Sequence, residues 1–170
     1  IHQSCWLGDA THLSALVEKE GLAAINGEDF FEAPLAVAAA QGHLEVMRLL
    51  IALGANVEAE DALGVRPLNR AATAGQLDAC KLLLDMGASI DSMDSINGAP
   101  LHGAAKRGHT HICKMLIKRG AAVDARNDAG ETPLFNASQL GHTDTIRALL
   151  AGGADPYAKT TRGQTPFGAA

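Results

Sequence analysis

The chain has 170 residues, 47% of them hydrophobic and 19% charged, with a formal net charge of −5. That apolar content can bury a core and argues against disorder. The acidic balance gives no nucleic-acid footprint, and no window approaches the ~18 apolar residues of a membrane span.

In chain order, residues 1–27 read as a degenerate N-terminal helix pair around Leu7, Leu13, Leu16 and Val17, aligned through Gly21 with Gly54. From there one pattern returns every 33 residues: Pro34-Leu35, Pro67-Leu68, Pro100-Leu101, Pro133-Leu134 and Pro166-Phe167. A glycine followed by a polar residue lies eight positions after each of the first four prolines, at Gly42-His43, Gly75-Gln76, Gly108-His109 and Gly141-His142. Gly-Ala pairs at Gly54, Gly87, Gly120 and Gly153 keep the same register. Each unit predicts two short helices. Proline suits the first turn, where its missing N–H is no loss, and Thr132 and Thr165 can cap through their hydroxyls. Glycine ends the first helix in a left-handed conformation. The second helix shows apolar residues at helical spacing, such as Val46, Leu49, Leu50 and Leu53. A turn-rich stretch, Asp61-Ala62-Leu63-Gly64 or Asn127-Asp128-Ala129-Gly130, leads to the next proline. The expected repeats are 28–60, 61–93, 94–126 and 127–159, with a partial repeat over 160–170, all in one continuous solenoid domain. One unit cannot bury its apolar face alone, so the units stack.

Charge is distributed unevenly along these repeats. Residues 1–60 carry nine acidic and two basic side chains, whereas residues 94–126 carry two acidic and six basic ones. Such asymmetry steers a partner more than it folds a chain.

With these markers in place, the chain resembles the ankyrin-repeat family, whose period is 33 residues. The stretches from Thr132 to Asp155 and from Ala99 to Ala125 are the most similar to the family pattern. The resemblance implies an all-α solenoid of helix-turn-helix units with hairpin-like fingers. The family favours Thr-Pro-Leu-His at the first helix, and no unit here keeps all four. Thr132 is followed by Phe135 in place of His, and His102 is preceded by Ala99 in place of Thr.

The resemblance also implies a protein-protein interaction module or scaffold, without catalysis or cofactor, whose partner meets the finger tips and a concave face lined by first helices. Carried over by position, the finger residues are Phe30, Phe31, Glu32, Leu63, Val65, Ile96, Asn97, Ala129, Glu131, Arg162 and Gln164. The first-helix residues are Gln41, Arg70, Thr73, Lys106, Arg107, Asn136, Gln139 and Leu140, with Phe135 as an aromatic anchor or a packing residue. Apolar tips such as Leu63, Val65 and Ile96 either meet a partner or fold back on the next unit. Phe30-Phe31 either anchors a partner or fills space beside the first unit. Lys106, Arg107, Lys114, Lys118, Arg119 and Arg126 make the third repeat positive and suit an acidic partner segment. The alternative function is a targeting or regulatory domain of a larger enzyme, channel or organelle assembly. It is motivated by a chain that starts at Ile1 rather than Met and stops inside a new unit at Ala170.

His102, His109, His111 and Cys113 invite a zinc reading. His109 is explained by its match to His43 and His142, while His111 and Cys113 point in different directions on a helix. The three cysteines, Cys5, Cys80 and Cys113, do not make a secreted disulfide framework. An intracellular location is expected, the cytoplasm first, with the nucleus or an organelle as alternatives.

Overall fold

The computed structural model of the protein describes residues 1–20, 33–95 and 98–168. Ten helices are found among the described residues: α1 His2–Leu7, α2 Ala10–Glu20, α3 Pro34–Gln41, α4 Leu44–Ala52, α5 Pro67–Ala74, α6 Leu77–Asp85, α7 Pro100–Lys106, α8 Thr110–Lys118, α9 Pro133–Gln139 and α10 Thr143–Ala151. The fold is all-α. Only isolated bridges, Asp94 with Gly98 and Thr165 with Gly168, occur between extended residues of the described chain. Two compact units divide the chain, residues 1–89 and 90–170.

Helices α3, α5, α7 and α9 each begin on proline. The residue before each is extended, because the pyrrolidine ring disfavours the helical region there. Of these four caps only Thr132 uses its side chain, accepting from Phe135 N at 3.2 Å. Thr165 does not cap. Its hydroxyl donates to Gly168 O at 3.3 Å, because residues 165–168 close a tight bridge in place of a helical turn.

In the first unit, α3 packs on α1 and α5, and α4 packs on α2 and α6. Alanines make this approach possible: Ala38, Ala39, Ala71 and Ala72 are fully buried. Leu35, Val46, Met47, Leu50, Leu68 and Leu83 fill the space between helices. Leu7 does not belong to this core. It is 59% exposed at the last turn of α1, and Cys5 and Leu13 are buried in its stead. In the second unit, α7 packs on α9 and α8 on α10 around Leu101, Ala104, Ala105, Ile112, Leu116, Leu134, Ala137 and Leu149.

Candidate functional site

One hydrogen bond recurs in both units and aligns the ends of the first helices. The side chain that follows the helix-ending glycine reaches back to the previous repeat. His43 Nε2 donates to Trp6 O at 3.0 Å, Gln76 Nε2 to Ala40 O at 3.2 Å, and His142 Nε2 to Lys106 O at 3.0 Å. Each bond satisfies a carbonyl left orphaned at a helix C-terminus. The glycine is needed on two counts. Gly42 and Gly108 have φ of 75° and 73°, and a Cβ there would lie 2.5 Å from Gln76 Oε1 and 2.8 Å from His142 Nδ1.

The turns between repeats are held from within. Asp61 Oδ1 accepts from Leu63 N and Val65 N, both at 2.9 Å. Asn127 Oδ1 accepts from Ala129 N at 3.0 Å and Glu131 N at 2.9 Å. Thr160 Oγ1 accepts from Arg162 N at 3.3 Å and Gln164 N at 3.2 Å. A second ladder joins successive repeats. Glu58 Oε1 accepts from Ser89 N at 2.6 Å, Asp91 Oδ1 from Ala122 N at 3.0 Å, and Asp124 Oδ1 from Asp155 N at 3.0 Å.

On this scaffold the residues singled out by sequence separate into three groups. Lys106 and Arg107 at the end of α7, Gln139 and Leu140 at the end of α9, Leu63 and Arg162 on their turns are exposed. The His142 bond to Lys106 O brings the ends of α7 and α9 together. Val65 and Phe135 are each only 3% exposed, so neither is presented to a partner. Val65 is turned inward by the Asp61 clamp and by Asp61 N donating to Val65 O at 3.1 Å. Phe135 lies on the buried face of α9, at the edge of an open cleft shared with Gln139, Gln164 and Phe167. Arg70 and Glu131 are partly buried and engaged within their own repeats. Arg70 Nε donates to Asp61 Oδ2 at 3.0 Å, and Glu131 Oε2 accepts from Asn136 Nδ2 at 2.7 Å and Asn127 Nδ2 at 3.0 Å. Phe30, Phe31 and Ile96 lie outside the described residues.

The buried His102 is an internal strut. Its Nε2 donates to Glu131 O at 3.0 Å, tying α7 to the next turn. Burial lowers the imidazole pKa from its ordinary value, against the opposing pull of the Glu131 and Ala125 carbonyls and the Glu131 and Asp94 carboxylates. Cys113 is buried on α8 while His111 is exposed. No group of three or more His, Cys, Asp or Glu able to hold a metal occurs among the described residues. No helix of the described residues is long and apolar enough to cross a membrane.

Sequence reasoning missed the partners of the Gly-polar marker and overlooked Gly8, which ends α1 with a φ of 74° and lies against His43. Its Gly8-Asp9 step was the available signal. Exposed Trp6 and Tyr157 carried no repeat signature and were also missed.

Paired helices, glycine-ended first helices and, within each unit, side chains that lock a repeat to the one before define a helical-repeat protein. A family model described as ankyrin repeats in three copies matches residues 1–94 and 89–160, and the chain belongs to the ankyrin-repeat family. Ankyrin repeats are generally protein-protein interaction modules and typically non-enzymatic. No curated protein matches the chain.

Proposed function

We propose that this chain is a non-enzymatic scaffold that holds a partner protein on the exposed ends of its first helices and on its finger tips. The supporting observation is the contrast within α7 and α9. Their first turns are buried, whereas Lys106, Arg107, Gln139 and Leu140 project from ends fixed by the His142 bond. The main chain that carries them therefore need not be ordered on binding. In the same unit, Phe135 and Glu131 act by holding this surface in shape. In the first unit, Leu63 is 52% exposed on an Asp61-clamped turn and offers an apolar contact of its own, beside Val65 and Arg70, which the same aspartate holds.

Lys106 and Arg107 favour a partner whose contacting segment is acidic, by simple charge complementarity. Three free, buried thiols, Cys5, Cys80 and Cys113, suit an intracellular compartment. The test is capture from extract with the wild-type chain and with Arg107→Glu combined with Leu140→Ser. Partners that copurify with the wild type should be lost from the variant at unchanged circular dichroism. Equal recovery by both would remove this surface as the site.

A further inference from the structure

The second helices of the four full repeats, α4, α6, α8 and α10, carry a repeating charge pattern that α8 breaks. At their second position stand Glu45, Asp78, His111 and Asp144; three residues on stand Arg48, Lys81, Lys114 and Arg147. An acid there favours the positive helix N-terminus and pairs with the base at i+3. This is seen in α6, where Lys81 Nζ lies 2.8 Å from Asp78 Oδ1, and in α10, where Arg147 Nη1 lies 3.9 Å from Asp144 Oδ1. In α8 the acid is replaced by His111, and four residues beyond Lys114 stands Lys118. His111, Lys114 and Lys118 are all exposed, and the first turn of α8 contains no acid. Positions i, i+3 and i+7 share one helix face. The result is a basic stripe in which Lys118 suits the negative end of the helix, whereas the i,i+4 pair of like charges, Lys114 and Lys118, and the missing acid at position 111 oppose helix formation.

We infer that the outer stripe of α8, His111, Lys114 and Lys118, docks a short acidic protein segment. The stripe spans about 10 Å along the helix. An extended peptide places same-side residues about 7 Å apart, so two or three alternating carboxylates match it. A narrow segment fits better than a broad anionic surface. Helix α10 packs beside α8, tied to it by the 2.8 Å contact of the Thr110 and Thr145 hydroxyls, and presents exposed Asp144, which a negatively charged plane would meet at once. This surface lies on a second helix and goes beyond the first-helix surface proposed above.

The test is fluorescence anisotropy of the intact chain with a labelled peptide of alternating Glu and Ser. Saturable binding at low salt that weakens as salt rises is expected. Lys114→Glu with Lys118→Glu should weaken it about tenfold, for two exposed pairs lost. His111→Asp, which supplies the i,i+3 pair with Lys114 that α6 and α10 have, should weaken it about threefold. Lys81→Glu, the same register position in α6, should leave it within about twofold. Absence of saturable binding, an equal loss in Lys81→Glu, or binding to phosphatidylserine vesicles but not to the peptide would each overturn the inference. A loss confined to Lys106→Glu with Arg107→Glu would also overturn it while leaving the first-helix surface standing.

Discussion

His102 occupies a position held by Ala36, Asn69, Phe135 and Gly168 in the other repeats, and it is fully buried. Because a carbonyl only accepts, the bond to Glu131 O fixes the proton on Nε2. Nδ1 is then a buried acceptor with no hydrogen-bond partner. The residue that could have donated to it is missing, since Ala99 stands where the fourth repeat has Thr132. Ala99→Thr should therefore raise stability by about 1 kcal/mol, from the cap alone, which urea unfolding would show; a loss would mean that the buried site has no room for the hydroxyl. The pH dependence follows from the lowered pKa. The unfolded imidazole titrates near 6.5 and the folded one lower, so the contribution of His102 is complete above 6.5 and is lost as pH falls toward the folded value. Melting temperatures from pH 7 to 5 should fall more steeply for the wild type than for His102→Asn, which carries the residue found at position 69. The thiols behave as packed hydrophobes. Burial pushes Cys5 up to about 11 and Cys80 and Cys113 up to about 12. A thiol-reactive dye should label none of them in the native protein at neutral pH and all three in denaturant.

Within an element, the glycine that ends a first helix can serve two separable roles, a left-handed backbone and, at Gly42 and Gly108, a gap for the next repeat. At Gly141 only the first applies, since nothing lies within 4 Å of a Cβ built there. Gly141→Ala should cost about 1–2 kcal/mol. Gly108→Ala should cost more, because its Cβ meets His142 Nδ1 at 2.8 Å and disturbs the bond to Lys106 O. His142→Ala should cost about 1 kcal/mol through that bond. Paired denaturation curves check the order, and an equal loss for the two glycines would deny the second role. These elements were legible in the sequence to different depths. Proline at the helix start and glycine at its end act locally, so the 33-residue spacing displays them directly. The partner of His142 lies 36 residues earlier, and no local rule connects the two. Val65 was left open between meeting a partner and folding back, because its inward rotation depends on the Asp61 clamp four residues before it. Phe135 left packing and contact both open, and its place on the buried face of α9 resolves this as packing. Arg70 read as a partner-facing first-helix residue because the acid that engages it lies nine positions away.

On the scale of the whole molecule, the composition that marked a helical repeat also marked its charge asymmetry, with acid concentrated in residues 1–60 and base in residues 94–126. The fold was readable because the period repeats its own signal. The proposed binding surface was readable only in part, since each candidate position appears once and its exposure depends on three-dimensional packing. Lys106, Arg107, Gln139 and Leu140 are exposed, whereas Phe135 is buried and Glu131 partly so. Binding at this surface should be salt-dependent through Lys106 and Arg107, with the slower dissociation supplied by the apolar contacts. The most direct measurement is hydrogen–deuterium exchange of the chain with and without a purified captured partner. Protection is predicted at the ends of α7 and α9. Protection confined to other segments, with these two ends unchanged, would contradict the proposal.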